Sequence, residues 1–343
     1  MIWSCTSYAG MEHALVMAAN ILSVQRDVEI LIVRPPPRSV EEVLQHDLAS
    51  NVKLTVAPSL RDARSRVRSA DRPVLVGIWT VARSRVLGPR RQRWVWWEHS
   101  VTTERLRISS RLRLLRRLAA LSTEPNVVVV PAAFMQPETE QRVGRPVTVI
   151  PNGGVDVSSW VAAATRRGND SSVVGTMGRL EVSRRTDLAI RSLVHLPAAD
   201  LHVAGDGPDR AALQELSREL GLDDRVFFEG WVTDKAGFFA AIDVLVVTSP
   251  TETFGYALFE AAEHAVQVVA CPNPRTTEVI PRLVPGRLAN GDDPVEVAAA
   301  VAEALAQPSA DGALASAARL RQAELSADLV RQRWCEVLDA DPR

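Results

Sequence analysis

Ser249-Pro250-Thr251-Glu252-Thr253-Phe254-Gly255-Tyr256-Ala257-Leu258-Phe259-Glu260 follows the apolar run Asp243–Thr248. The run reads as a buried strand, and Pro250 places Ser249–Thr253 in a loop at the strand's carboxyl end. A helix then starts at Phe254 or Gly255 and continues to about His264. A helix N-terminus presents free amide N–H groups and a positive dipole, which attract an anion, and Gly255 lets a ligand approach the backbone closely. Glu252 repels that anion but can accept hydrogen bonds from hydroxyls attached to it. Glu260, over one turn into the helix, can reach a second hydroxylated group on the anion's other side. Two carboxylates bracketing an anion site suit a sugar, a diphosphate and a ribose in a row. Taken alone, Glu252 is equally an acid favoured by the helix dipole.

The same strand-then-helix grammar runs through the whole chain. Ile2–Thr6, Val28–Val33, Val52–Ala57, Val74–Ile78, Trp94–Trp97, Val127–Val130 and Val147–Ile150 read as buried strands. Val173–Met177, Asp200–Ala204, Val226–Phe228, Asp243–Thr248 and Val266–Ala270 continue the pattern. Met11–Ser23, Thr186–His195, Asp209–Leu220, Lys235–Ala241 and Pro294–Ala306 read as helices between them. Strands apolar on both faces, alternating with helices, predict α/β domains with parallel sheets covered on both sides. The series restarts after Pro151-Asn152-Gly153-Gly154. Residues 1–155 are therefore expected to form one doubly wound, Rossmann-like domain, with 156–171 a linker and 172–317 a second such domain. The amphipathic, arginine-rich segment 318–343 is expected to pack back as a helix across both. In sheets of this kind ligands bind at the carboxyl ends of strands, so a cleft between two facing domains is the expected site.

Bulk composition narrows the partners. The chain has 343 residues, 46% of them hydrophobic, with a net charge of −1. That is enough for about two domains and offers no global attraction to nucleic acid, which is not expected as a partner. Cys5, Cys271 and Cys335 lie far apart with no metal-ligand spacing and read as reduced thiols. No secretory leader or membrane span is legible, so a cytoplasmic location is expected. Of 40 basic residues only Lys53 and Lys235 are lysines. In such a chain an arginine can stand where a lysine is usual.

Five motifs in order then carry a resemblance. Glu252…Glu260, with Phe254-Gly255 inside, resembles the E-x7-E donor signature of glycosyltransferase family 4, retaining enzymes of GT-B fold. Gly178-Arg179-Leu180 is similar to that family's phosphate-binding Gly-Arg-Leu, and Val203–Pro208 to its Val-x-Gly-Asp-Gly-Pro turn around Gly205. Val149–Asp156 is similar to its interdomain Ile-Pro-Asn-Gly-Val-Asp, with one glycine inserted. Phe228-Glu229-Gly230-Trp231-Val232 matches the segment that passes the nucleotide base. The agreement covers about residues 145–305. It implies a nucleoside-diphosphate sugar, UDP- or GDP-linked, as donor, with hexose transfer to a hydroxyl of a small-molecule, glycan or lipid-linked acceptor.

The resemblance also implies roles. Glu252 orients the sugar and Glu260 holds the ribose, with Gly255, Phe254, Gly178, Gly205, Trp231 and Val232 completing the donor site. Arg179 neutralises the diphosphate, and the family's lysine five positions on falls at Arg184, since phosphate accepts guanidinium well. Arg185 replaces the glycine that usually follows. Cys271–Ile280 stands where the family has Gly-Gly-x-x-Glu-x-Ile, with Glu278-Val279-Ile280 kept and the glycines gone. In the first half, Tyr8-Ala9-Gly10-Met11-Glu12 occupies the place of Gly-Gly-x-Glu, so Gly10 is expected near the donor. Glu12 reads more simply as a helix cap. Trp96-Trp97-Glu98-His99 ends a strand where family members carry a histidine near the sugar, and a structural histidine is the alternative. GT-B enzymes generally work without a metal, so none is expected, nor any other cofactor.

Residues 105–118 carry six arginines and no acid. As a helix they place Arg105, Arg113, Arg116 and Arg117 on one face, which suits an anionic membrane surface at the inner face of the plasma membrane. A surface helix packed on the sheet by its leucines has the same composition. Two rivals to a transferase stand: a GT-B sugar epimerase or hydrolase, and a non-catalytic partner that keeps the fold and donor site. The altered glycines at Ala9, Arg185 and Asn273 favour the second.

Overall fold

The computed structural model describes residues 2–3, 10–33, 38–76, 93–99, 125–153, 172–307 and 311–340. The chain divides into two units, Met1–Gly154 with Ala327–Arg343, and Val155–Ser326.

The first unit is built on a seven-stranded sheet. Its strands are β1 (Ile2–Trp3), β2 (Glu29–Val33), β3 (Lys53–Ala57), β4 (Val74–Val76), β5 (Val95–Trp97), β6 (Val127–Val130) and β7 (Thr148–Val149). They lie in the order β3-β2-β1-β4-β5-β6-β7 with every pairing parallel. The second unit has six strands, β8 (Ser172–Met177), β9 (Ala199–Ala204), β10 (Val226–Gly230), β11 (Val244–Val247), β12 (Gln267–Ala270) and β13 (Gly286–Leu288). Their order is β10-β9-β8-β11-β12-β13, again all parallel. Each sheet therefore changes winding direction once, between β1 and β4 and between β8 and β11. Doubly wound sheets hold ligands outside the strand ends at that switch.

The strands are apolar because both faces are covered. Val244, Leu245 and Val246 are almost wholly buried, with Leu188, Ala189 and Val297 in the core on one side and Phe239, Leu258 and Phe259 in the core on the other. Twelve of the strands fall on the runs expected from sequence. β13 escapes that reading because Gly286-Arg287-Leu288 is short and polar at its centre. Its glycine is required by contact: a Cβ on Gly286 would sit 2.1 Å from the Val268 carbonyl oxygen of β12.

The C-terminal segment differs from expectation. It is two helices, Asp311–Leu325 and Ala327–Asp339, and the break at Ser326 assigns the first to the second unit and the other to the first. The helix Ala327–Asp339 buries Val330, Trp334 and Leu338, and Val330 reaches Gly153, where a Cβ would meet Ile21 at 2.1 Å. The expected linker 156–171 and the basic stretch 105–118 lie outside the described residues. No helix among the described residues is long and apolar enough to cross a membrane.

Candidate functional site

At the carboxyl ends of β8, β9 and β10, the loops leaving neighbouring strands are stitched side by side. Gly178 N–H donates to Ala204 O at 2.9 Å, Leu180 N–H to Asp206 O at 3.0 Å and Gly205 N–H to Gly230 O at 2.7 Å. This closeness excludes side chains. A Cβ on Gly205, whose φ is +134°, would lie 1.9 Å from the Gly178 oxygen. Leu180 is 1% exposed and roots the Gly-Arg-Leu turn in the core. Arg179 stays half-exposed, 3.6 Å from Glu181.

Beside these turns Gly178, Arg184, Thr248, Ser249 and Glu252 line one small pocket. Arg184 ends a single 3-10 turn, and its guanidinium pairs with the Glu252 carboxylate. Glu252 raises the Arg184 pKa above its ordinary value, chiefly by direct charge attraction. The Thr248 hydroxyl holds the backbone of that turn, donating toward Arg184 O at 3.1 Å and Arg185 O at 2.7 Å. Two expected site residues from loops 68 positions apart are thus brought together. Arg185 occupies a left-handed conformation, φ +53°, which explains why a glycine is natural there. Its side chain lies 3.3 Å from Asp187 and 3.8 Å from Asp292.

The opening stretch takes the expected form, with its helix spanning Tyr256–Glu263 and Gly255 at the N-cap with φ +80°. A Cβ there would press within 2.7 Å of Leu258. Glu260 is largely buried and meets Lys235 Nζ at 2.5 Å, so each carboxylate of the pair has its own cation. Lys235 was missed in the sequence, although a retained lysine in an arginine-dominated chain was the signal available. Trp231 is 59% exposed just beyond β10, while Val232 packs partly against the core.

Phe254 turns inward instead. Expected to line the donor site, it is 3% exposed and packs among Tyr256, Phe259 and the Arg275 guanidinium, 5.0 Å from its ring centre. Burying a phenyl ring contributes about 1.5–3 kcal/mol, so its side chain serves the loop from beneath. The segment that lost its glycines is also a built structure. Asn273 caps the helix Pro274–Val279 with a full capping box, and burial pushes the neighbouring Cys271 thiol up to about 11.

In the first unit, Gly10 begins the helix Gly10–Ser23 and is exposed, and Glu12 is 5% exposed in its first turn. His99 follows β5 with its ring centre 4.5 Å from that of Trp97, which in turn meets Trp334 edge-on at 5.0 Å. Burial lowers its pKa to about 3, because desolvation disfavours the charged imidazolium. This burial favours the neutral imidazole, the form suited to a hydrogen-bonding contact. Next to it Glu98 is fully buried and paired with Arg142 at 3.2 Å. Among the described residues no group of three or more His, Cys, Asp or Glu side chains is placed to hold a metal ion.

Residues 171–307 match the family model described as Glycosyl transferases group 1. The match lies wholly within the second unit and covers 137 of the 343 residues. The lipopolysaccharide core biosynthesis glycosyltransferase LpsE of Rhizobium meliloti is 36% identical over 101 residues, 29% of this chain and 30% of that protein. The D-inositol 3-phosphate glycosyltransferase of Mycobacterium ulcerans is 32% identical over 163 residues, 45% of this chain and 35% of that one. The alignments therefore span about a third of these relatives' length. Among solved structures, Anabaena HepE in complex with UDP and glucose superposes with a TM-score of 0.81 at 19% identity, covering 99% of both chains. WaaG, a glycosyltransferase involved in lipopolysaccharide biosynthesis, gives a TM-score of 0.74 at 13% identity, covering 99% of this chain and 100% of that one. The fold is of GT-B type.

Proposed function

From the match of residues 171–307 to glycosyl transferases group 1, we propose that the protein transfers a hexose from a UDP- or GDP-linked sugar to an acceptor hydroxyl. The acceptor is a small molecule, a glycan or a lipid-linked glycan. The observation that carries this reading is the pocket at the β8–β11 switch, where Arg184 and Glu252 meet beside the glycine turns at Gly178 and Gly205. Guanidinium groups and helix-end amides stabilise a leaving diphosphate in the way a metal ion would, so transfer proceeds in excess EDTA. Glu252 orients the sugar and Glu260 holds the ribose, with Trp231 beside the base. The reaction retains the donor's anomeric configuration, which NMR of the product's anomeric proton reads directly.

Titrating UDP, GDP and ADP against the melting temperature identifies the base, since a ligand that binds only the folded state raises stability with its concentration. With the preferred nucleotide, Glu260→Ala weakens binding by about 1–3 kcal/mol, the loss of a charge-assisted hydrogen bond. Glu252→Ala spares that binding and damages transfer. Equal losses of nucleotide affinity in the two variants would refute this division of labour.

A further inference from the structure

The loop carrying Glu252 leaves the sheet after β11, where no ladder can hold it. Its two feet are instead tied by side chains of one short segment. Asn273 Nδ2–H donates to Ser249 O at 2.9 Å, and Arg275 Nε–H donates to Phe254 O at 2.8 Å. Ser249 precedes Glu252 by three residues, and Phe254 sits directly before the Gly255 turn. Between the feet the loop closes on itself through Ser249 Oγ–H to Thr251 O at 2.6 Å.

The tying groups are themselves locked. Asn273 is 6% exposed, and its Oδ1 accepts from Arg275 N–H at 2.9 Å and Thr276 N–H at 3.0 Å, which fixes the direction of its amide donor. Arg275 is 3% exposed, lies over the rings of Phe254 at 5.0 Å and Phe259 at 5.4 Å, and pairs with Glu278 at 3.2 Å. A planar guanidinium wedged this way points its Nε–H at one carbonyl, which an ammonium on a flexible stem does not do.

We propose that Asn273 and Arg275 are positioning residues that set the Ser249–Gly255 loop, and with it the Glu252 carboxylate, for transfer. This rests on the reading of Glu252 given under Proposed function. Neither residue needs to touch the donor. Catalytic geometry tolerates little displacement, and a shift of about 1 Å at the reacting groups can cost up to about a hundredfold in rate.

Asn273→Ser separates the clamp from the cap in the full-length protein. Serine keeps an oxygen for the helix cap but has no amide donor to reach Ser249. Hydrogen exchange of the amides at residues 251–255 should accelerate about five- to tenfold, the weight of one hydrogen bond, while β11 stays protected. In turnover of UDP-glucose, by transfer or slow hydrolysis, kcat should fall about ten- to a hundredfold. The Kd for UDP should stay within about twofold, because Glu252 is not a nucleotide contact. Arg275→Lys should show the same split, with kcat falling and UDP affinity kept. Unchanged exchange in Asn273→Ser would overturn the clamp. Faster exchange with parental kcat, in an active parent, would overturn its role in positioning. A parent that binds UDP-glucose but never turns it over would count against the proposed function, and exchange alone would then decide the clamp.

Discussion

The two sheets share one strand order over six strands but use their carboxyl ends differently. At the end of β8 and β11 the charged side chains are partly open: Arg184 pairs with Glu252, and neighbouring glycines let loops come close. Beyond β5 the comparable residues are drawn inward. Glu98 is fully buried against Arg142, whose guanidinium lies 5.8 Å from the Trp96 ring centre, and the His99 ring sits tilted against Trp97. The same residue types therefore do different work. An ion pair that keeps solvent access can exchange its partner for a phosphate or sugar, whereas a buried pair cannot be opened without leaving a desolvated charge.

The largest expected effects test that contrast directly. Arg184→Ala should lower turnover by about a hundred- to thousandfold, ~2.7–4 kcal/mol in the barrier, with little change in melting temperature. Arg184→Lys should retain far more activity, because it keeps the charge. Arg142→Ala should do the reverse, costing about 3 kcal/mol of stability in urea unfolding by removing a charge partner of the buried Glu98 carboxylate. If Arg184→Ala unfolded the protein and left its specific activity intact, the two ends would not differ as argued. If Arg179→Ala were silent in turnover as well, the non-catalytic reading would replace the transferase.

His99 gives a smaller effect, on pH. Its folded pKa, about 3, lies below the ordinary 6.5, so the unfolded chain binds a proton that the folded one refuses. Its contribution is complete above the unfolded value and is lost as pH falls from there toward the folded value. The slope is at most ~1.4 kcal/mol per pH unit. Urea unfolding of His99→Gln at several pH values should show a flatter acid limb than the parent. An identical limb would mean that His99 is hydrated in solution and closer in kind to the exposed charges of the second unit.

The smallest effect concerns Arg185. Glycine removes the penalty of a side chain at φ +53°, and the exposed pairs with Asp187 and Asp292 are worth little. Arg185→Gly should therefore raise stability by up to about 1 kcal/mol in thermal unfolding. A loss instead would show that these pairs hold the loop at the β8 end more firmly than solvent-exposed ions usually do.

Much of this protein was legible as sequence, for reasons that are local. Strands buried on both faces must be apolar throughout, so twelve of them, and the α/β class, followed from runs of Val, Ile and Leu. The motifs of the second unit were legible because backbone geometry dictates them: Gly178 and Gly255 take a positive φ, and at Gly205 the Gly178 carbonyl leaves no room for a Cβ. The partners of those motifs were not legible, because they arrive from distant segments. The pairing of Arg184 with Glu252, the cation on Glu260 and the two ties from Asn273 and Arg275 connect positions 21 to 68 residues apart. Phe254 and His99 show the limit most clearly. A residue's type and its place at a strand or helix end say what it can bind, but only packing decides whether its side chain faces solvent or core.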